Sequence, residues 1–345
     1  MELTCMAGTG VSYGRQTEHL NGIDTLKGIC AFLIVCIHCP FPGEAGQYFL
    51  VLTRIAVPIF FMITGFFYNM TVEAGKEIKQ IRKILILMIK ANLLYFLWNL
   101  FYAAASGRSA LDYLSSVLTF KKLAQFLVLN QSPFGSHLWY LGAILYVLLI
   151  AALAGRLKLT KVLYVLTPVL LAGDLILGKY SLLLLKREFP YILVRNFLFV
   201  GIPYFCIGRL LSKKTGKHKK SVLFALTALF SFTSLLERYL LVQSDLNTAR
   251  DHYISSTLLA VTVFLLFLDI GRGGRPLPLE KIGRKYSGWV YIVHPIFITV
   301  LSFAARQLNV YESYQFVAPV LVYFAAVAFV AAAQRFRGAV RKNLS

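Results

Sequence analysis

The chain has 345 residues, of which 58% are hydrophobic, 14% aromatic and only 15% charged, and its mean hydropathy is +0.67. Soluble domains carry about 25% charged residues, whereas a helix that crosses a bilayer needs about 20 consecutive apolar residues. Apolar segments here repeatedly reach that length and lack the alternating pattern of a membrane β-barrel. The composition therefore excludes a soluble fold and predicts an all-α, polytopic membrane protein.

The net charge of +21 is typical of a membrane protein with basic cytoplasmic loops. No basic patch interleaved with aromatic residues indicates a nucleic-acid partner. Five cysteines are present, and Cys36 and Cys39 lie close to His38. A zinc site needs about four converging ligands, and no second cluster follows in the sequence. We therefore expect neither nucleic-acid binding nor a metal site.

Ten apolar segments are long enough to be membrane-spanning helices. They cover residues 22–40, 47–69, 84–104, 137–155, 161–178, 195–212, 221–242, 253–270, 286–304 and 315–335. Segment 109–131 is amphipathic and is predicted to lie on the membrane surface or to re-enter it. Residues 1–20 show no signal-peptide pattern. The predicted organisation is a cytoplasmic tail at 1–20, a membrane domain at 21–337 and a second tail at 338–345.

Lysines and arginines are distributed unequally between the two sets of loops. With the N-terminus inside, the inner loops and the C-terminal tail hold 22 of them, and the outer loops hold nine. Because positively charged loops remain in the cytoplasm, both termini are predicted to be cytoplasmic. Lys27 is then near the inner face and His38 near the outer face.

The first span, Gly22–Cys39, carries a carboxylate, an ammonium and an imidazole. Lys27 and His38 are eleven residues apart, so on a helix they point in directions only about 20° apart and are separated by about 16 Å. Asp24 is one turn before Lys27 on the same stripe. Ionisable groups within a membrane are costly and indicate a polar cavity or a functional site. The alternative is that Asp24 and Lys27 snorkel to water and that His38 is an ordinary interfacial histidine.

The second span carries Arg54 about seven residues from its start. A guanidinium at that depth requires an anion or a wet cavity, unless it snorkels outward. Pro58 removes a backbone hydrogen bond and favours a kink. Gly65, further along, permits the close approach of another helix. Polar residues on two adjacent spans favour one shared polar site.

Five further residues are candidates for a binding site. His137 and Trp139 open the fourth span, where tryptophan is also typical of an interfacial belt. Arg195, at the start of the sixth span, is either an outer anchor or a second cation at the site. Tyr291 and His294 lie in the ninth span. Because a proline follows it, His294 either satisfies a carbonyl freed by the kink or lines the polar cavity.

Four stretches resemble the integral-membrane acyltransferase family 3, whose members O-acetylate bacterial surface glycans and related molecules. They are, in chain order, IDTLKGICAFLIVCIH, RIAVPIFFMITGFF, HLWYLGAIL and IGRKYSGWVYIVHP. The first contains the family's basic residue, ten intervening positions and a histidine, here Lys27 and His38. The stretches occur in the family's order and cover about residues 20–300. Lys27 stands where arginine is commoner, and Thr64 stands where serine is usual.

The resemblance implies a multi-pass enzyme of the bacterial cytoplasmic membrane. It would move an acyl group, acetyl by default, from cytoplasmic acyl-CoA to a hydroxyl of an extracytoplasmic or lipid-linked glycan. Asp24 and Lys27 would bind the donor, and His38 and Arg54 would be catalytic. His38 would act as a general base or as a covalent acyl carrier. Residues expected to contact the acceptor are His137, Trp139, Arg195, Tyr291 and His294.

A second class of function fits the same features. A ten-helix bundle with a polar cavity also suits a transporter or flippase of a small polar solute. The resemblance allows this, since similar membrane domains fused to amino-acid racemases are thought to move serine. The two halves show no inverted repeat, which counts against a transporter built from such repeats. The sequence leaves the acceptor, the acyl group and the oligomeric state open.

Overall fold

A computed structural model describes residues 20–213, 216–271 and 277–343. Within these ranges the chain forms fifteen α-helices and no strand. The helices are α1 (Asn21–His38), α2 (Gly43–Thr53), α3 (Ala56–Glu73), α4 (Glu77–Ala105), α5 (Ala110–Val117), α6 (Phe120–Leu129), α7 (Trp139–Arg156), α8 (Thr160–Leu177), α9 (Ser181–Leu185), α10 (Ile202–Leu211), α11 (Lys220–Gln243), α12 (Ile254–Ile270), α13 (Glu280–Lys285), α14 (Ser287–Gln307) and α15 (Tyr311–Asn343). Of the two predicted tails, residues 1–19 and 344–345 lie outside the described ranges.

Eight helical segments of the described chain are long and apolar enough to cross a membrane. They are Asn21–His38, Gly43–Glu73, Glu77–Ala105, Ser136–Arg156, Thr160–Leu177, Lys220–Gln243, Ser287–Gln307 and Tyr311–Val340. The prediction of an all-helical, multi-pass membrane protein is therefore confirmed.

Two shorter apolar segments, Phe197–Leu211 and Ile254–Ile270, coincide with the remaining two predicted spans. The longer of them has 17 residues. A helix of that length extends about 26 Å, less than the roughly 30 Å of a hydrocarbon core. Whether these two segments cross the membrane stays a prediction.

The chain divides into two compact units. One consists of Met1–Phe60, Thr215–Asp245 and Tyr253–Ser345, and the other of Phe61–Lys214 and Leu246–His252. We refer to them as the first and second unit.

Helix α1 is the central helix of the first unit. It contacts α2, α12, α13, α14 and α15. Glycines make these approaches possible: a Cβ on Gly22 would lie 1.8 Å from the carbonyl oxygen of Phe267, and one on Gly283 would lie 1.7 Å from that of Asp24. Such contacts bring backbones together as small residues do between membrane helices. Asp24 and Lys27 of α1 are thereby held inside this unit.

The second unit contains most of α3 and helices α4 to α10. Helix α7 packs on α4 and α8, and α8 packs on α10. A Cβ on Gly65 would lie 1.9 Å from the carbonyl oxygen of Phe205, and one on Gly208 would lie 2.0 Å from that of Met62. The close helix approach predicted at Gly65 is confirmed, with α10 as its partner.

The second predicted span is two helices rather than one. Helix α2 ends at Thr53 and α3 begins at Ala56, so Arg54 lies in the break. Pro58 explains the break, because it has no N–H to donate to the carbonyl four residues earlier, which is that of Arg54. The predicted kink is therefore a two-residue break within the segment Gly43–Glu73, and Arg54 lies in it.

The amphipathic segment 109–131 is also two helices. Ser109 caps α5 and Thr119 caps α6, each accepting a hydrogen bond from a backbone N–H two or three residues on. Leu111 and Phe120 are exposed, at 75% and 88%. An amphipathic pair with exposed apolar side chains favours the predicted position at the membrane surface.

Candidate active site

Two charged side chains form an ion pair near the start of α1. Lys27 Nζ lies 2.8 Å from Asp24 Oδ1, and only 5% and 12% of their side-chain surfaces are exposed. A spacing of three residues puts both on one helix face. A Cβ on Gly28 would lie 2.8 Å from the carbonyl oxygen of Leu279, so α13 covers this turn. Lys27 is therefore buried, and the snorkelling interpretation is wrong for it.

His38, the exposed last residue of α1, lies beside His294 of α14. Their ring centroids are 5.2 Å apart and the ring planes are inclined by 40°. The Tyr291 ring centroid is 6.4 Å from that of His294. The structure thus brings three of the predicted site residues together in the first unit.

His294 is buried and bonded to its own helix. Its Nδ1 lies 2.8 Å from the carbonyl oxygen of Tyr291 and 3.2 Å from that of Val290. Pro295 has no N–H for the Tyr291 carbonyl, so the imidazole satisfies the acceptor that the proline frees. A carbonyl only accepts, so Nδ1 carries the proton. The first interpretation, that His294 satisfies the carbonyl freed by the kink, is therefore confirmed. Its ring lies beside that of His38, and a polar cavity lined by both histidines stays a prediction.

Arg54 is half-buried at the end of α2, close to residues that lie far along the chain. The Tyr253 phenol lies within electrostatic reach of Arg54, Arg238 and Glu237. Arg238 also hydrogen-bonds the phenol. Two guanidiniums, the Glu237 carboxylate and the phenol thus form a cluster with one net positive charge in the first unit, and such a cluster suits an anion.

In the second unit, aromatic rings surround the predicted acceptor residues. His137 is buried in the turn Ser136–Leu138, and its ring centroid is 4.5 Å from that of Tyr95. Trp139 begins α7. The guanidinium carbon of Arg195 lies 5.6 Å from the Trp139 ring centroid and 4.5 Å from that of Tyr191. Stacking on two rings favours a guanidinium over an ammonium at this position.

Two asparagines fix the backbone on either side of the Arg195 stacking contact. The Asn196 side-chain oxygen accepts the N–H groups of Leu198 and Phe199 at 2.9 and 3.2 Å and so caps the turn of π-helix at Phe197–Gly201. The buried Asn130 side chain donates to the Trp139 carbonyl and accepts from the N–H of Phe197. The backbone on both sides of the stacked guanidinium is therefore tied down.

A family model described as an acyltransferase domain matches residues 20–333, which is most of the chain. The chain belongs to acyltransferase family 3. The four stretches that resemble this family all lie within the matched range.

Two curated relatives of this family member carry racemase names. A serine/alanine racemase of Enterococcus gallinarum is 27% identical over 312 residues, and an amino-acid racemase of Enterococcus faecalis is 26% identical over 323 residues. Each match covers 85% of this chain and 43% of the relative. The chain therefore spans less than half the length of these relatives. No solved structure is significantly similar to it.

The predicted site residues of this acyltransferase-family chain fall into two groups. Those in the first unit are Asp24, Lys27, His38, Arg54, Tyr291 and His294, and those in the second are His137, Trp139 and Arg195. Contacts join Asp24 to Lys27, His38 to His294, and Trp139 to Arg195. His137 instead contacts Tyr95, which the sequence had not singled out.

Sequence reasoning missed a buried histidine–carboxylate pair in the second unit. His252 Nδ1 lies 2.7 Å from Asp174 Oδ2, and 6% and 8% of the two side chains are exposed. A signal was available, because Asp174 is an acid within the apolar run of the fifth span, where a charged group indicates function by default. Its partner is 78 residues away and could not be identified from spacing.

Proposed function

We propose that this chain transfers an acyl group, acetyl by default, from cytoplasmic acyl-CoA to a hydroxyl of an extracytoplasmic or lipid-linked glycan. Family membership supports acyl transfer. The observation that carries the proposal is α1 itself. This central helix holds a buried Asp24–Lys27 pair near its start and ends at His38, against a second histidine.

The proposed topology has ten spans in the cytoplasmic membrane of a bacterium, with both termini in the cytoplasm. The excess of lysine and arginine on one set of loops supports this orientation. It requires Phe197–Leu211 and Ile254–Ile270 to cross despite their length, with local thinning of the bilayer. Lys27 is then nearer the cytoplasmic face and His38 nearer the outer face.

Lys27 is proposed to bind the donor, with Asp24 as its positioning residue. An ammonium has three donor hydrogens, and the contact with Asp24 at 2.8 Å uses one of them. A donor phosphate would accept a charge-assisted hydrogen bond from this ammonium. Lysine cannot form the two parallel hydrogen bonds of an arginine, so this contact is expected to be a single bond.

His38 is proposed to act as the general base. A neutral imidazole can accept the proton of the acceptor hydroxyl. The hydroxyl oxygen then forms a bond to the thioester carbonyl carbon, the carbon–sulfur bond breaks, and the thiolate of CoA takes the proton back from His38. Arg54 would stabilise the oxyanion that forms on the carbonyl oxygen. His294, with its proton held on Nδ1, would keep the His38 ring in place.

The acceptor is proposed to contact the aromatic residues of the second unit. A sugar ring packs well on an indole or a phenol, whose faces are apolar. Trp139 supplies such a face, and His137 and Arg195 supply polar edges near it. We thus propose separate residues for the two substrates: Lys27 for the donor, and Trp139, His137 and Arg195 for the acceptor.

The test is acyl transfer from labelled acetyl-CoA to membrane glycans by purified protein in proteoliposomes. We expect His38→Ala and His38→Gln to lower the rate by about 100- to 10,000-fold, the usual contribution of a general base. Cys39→Ala, at the adjacent position, serves as the matched control and is expected to keep the wild-type rate. Retained turnover in a folded His38→Gln protein would exclude the general-base role. An acyl group trapped on His38 in a single turnover would assign it the covalent role instead.

A transporter or flippase of a small polar solute is the second candidate function. The racemase names of the two relatives favour it, since amino acids are small polar solutes. Uptake of labelled serine into proteoliposomes without any acyl-CoA would support transport. Acetyl-CoA-dependent ester formation without such uptake would support the enzyme.

A further inference from the structure

Four cations lie close to one another at one end of the second unit, where three of its helices end or begin. They are Arg156 at the end of α7, Lys161 at the start of α8, Arg209 near the end of α10 and Lys213 just after it. Helix α8 packs on both α7 and α10, which makes these helix ends neighbours. We refer to these four side chains as the cation cluster.

Aromatic rings position two members of the cation cluster. The Arg209 guanidinium carbon lies 5.1 Å from the Tyr68 ring centroid, and Lys213 Nζ lies 5.5 Å from that of Tyr164. Arg209 Nε also donates to the Asn69 side-chain oxygen at 2.8 Å. A ring and an amide orient a cation but supply no negative charge. The terminal N–H groups of Arg209 and the ammonium of Lys213 are therefore held in place and keep their full charge.

Positive charge exceeds negative charge around the cation cluster. The Glu77 carboxylate accepts a hydrogen bond at 2.7 Å from the phenol of Tyr68, the ring on which Arg209 lies. Glu73, one turn after Asn69 on α3, is exposed. In the described part of the chain, none of the four cations forms an ion pair with a carboxylate. Counting both acids still leaves two positive charges over, so an anion would relieve the repulsion among the cations.

An apolar surface of α8 adjoins the cation cluster. Lys161 and Tyr164 are one turn apart on the face of α8 that meets Lys213. Val165 and Val169 lie about 100–140° further round the same helix and are 71% and 63% exposed. Because α8 is long and apolar enough to cross a membrane, these valines face the acyl chains of the bilayer. The charged end of α8 therefore lies directly beside a surface suited to lipid.

We propose that the cation cluster binds the phosphate of an anionic phospholipid, whose acyl chains lie along the exposed face of α8. Arg209 would donate from its terminal nitrogens and Lys213 from its ammonium, both in charge-assisted hydrogen bonds. Basic pockets between membrane helices bind anionic head groups in this way. The phosphates of CoA share the phosphate chemistry, but a nucleotide is polar and gives the exposed valines no apolar partner.

The inference does not depend on acyl transfer. In the proposed ten-span topology, the cation cluster faces the inner leaflet. Its test is lipid binding by the full chain in detergent, measured by native mass spectrometry with equal amounts of cardiolipin, phosphatidylglycerol and phosphatidylcholine. We expect the wild-type protein to retain the two anionic lipids in preference to phosphatidylcholine, which has no net charge. Free CoA without lipid is the second arm.

We expect Arg209→Gln/Lys213→Gln to lower the affinity for the anionic lipids at least about tenfold, as loss of charge-assisted hydrogen bonds requires. Arg209→Lys keeps the charge but loses the contact with Asn69, and a smaller loss is expected. Lys213→Gln alone changes an exposed side chain, so it tests the proposal even if the Arg209 variants do not fold. Its expected loss is about threefold, the size of an exposed charge contact.

Lys186→Gln/Arg187→Gln is the matched control. It removes one lysine and one arginine from the same unit, beyond the opposite end of α8, and both side chains are exposed. The Arg187 guanidinium carbon lies 4.4 Å from the Phe189 ring centroid, so this variant also loses an arginine that lies on a ring. We expect it to keep the wild-type affinity for the anionic lipids.

Equal retention of anionic and neutral lipids by the wild-type protein would overturn the proposal. Equal affinity of the two double variants for the anionic lipids would do the same. Binding of CoA that is lost in Arg209→Gln/Lys213→Gln, without any preference among lipids, would assign the cation cluster to a nucleotide phosphate and not to a lipid. A failure of the proposed acyl transfer would leave the lipid-binding result untouched.

Discussion

Asp24 and Lys27 neutralise each other in the first unit, where both side chains are largely buried. Removing one partner of a buried pair leaves an uncompensated charge, which usually costs about 3–5 kcal/mol. Replacing both partners by neutral groups removes that cost. This asymmetry separates the structural role of the pair from its proposed role in donor binding.

We therefore expect Lys27→Met to lower the free energy of unfolding by about 3–5 kcal/mol. The double variant Asp24→Asn/Lys27→Met is expected to regain most of the stability that Lys27→Met loses. Denaturation of the purified protein in detergent measures the free energy of unfolding of each variant. The KM for acetyl-CoA is measured in parallel. If Lys27 binds the donor, the double variant is stable but its KM stays high. A double variant with wild-type stability and wild-type KM would show that the pair has a structural role and does not bind the donor.

At the scale of elements, the position of α1 depends on a glycine contact with α13. A Cβ on Gly283 would lie 1.7 Å from the carbonyl oxygen of Asp24, so a larger residue must push α13 away from the turn that carries the ion pair. At Gly155, near the end of α7, no atom apart from those of the neighbouring residues and of its own helix backbone lies within 4 Å of the position of a Cβ. The two glycines therefore form a matched pair for substitution.

We expect Gly283→Ala to destabilise the protein by about 1–3 kcal/mol, the usual cost of overpacking, and to raise the KM for the acyl donor. Gly155→Ala is expected to be neutral or stabilising, because alanine favours a helix by up to about 1 kcal/mol over glycine. Thermal unfolding of both variants in the same detergent provides the comparison. Equal melting temperatures for the two variants would show that α1 and α13 are not packed as described.

At the scale of the whole molecule, the number of membrane crossings depends on the two short apolar segments. Four exposed residues flank them in the chain: Lys186 and Lys217 around Phe197–Leu211, and Asp245 and Lys281 around Ile254–Ile270. In the proposed ten-span topology, Lys186 and Asp245 are outside and the other two are inside.

Single cysteines at these four positions test the topology in a variant whose five native cysteines are replaced. We expect a membrane-impermeant maleimide to label the cysteines of Lys186→Cys and Asp245→Cys in intact cells. The cysteines of Lys217→Cys and Lys281→Cys are expected to react only after the membrane is permeabilised. Equal labelling on both sides of one short segment would show that this segment does not cross.

The sequence alone was enough to identify an all-helical, multi-pass membrane protein and the location of its apolar segments. Membrane insertion depends on hydropathy summed over a local window, which is visible along the chain. The pairing of Asp24 with Lys27 was predictable for the same reason, because a spacing of three residues places two side chains together on any helix. The role of Pro295 in freeing a carbonyl for His294 was likewise local.

Tertiary structure alone decided which distant residues meet. The pairing of His252 with Asp174 and the approach of Arg54 to Tyr253 join residues that are far apart in sequence. The stacking of Arg195 on Trp139 and Tyr191 likewise depends on how the second unit folds. These contacts depend on which helix faces pack together, and glycines and capping asparagines set that packing. Hydropathy indicates which segments can enter the membrane, but it carries no information about which side chains become neighbours.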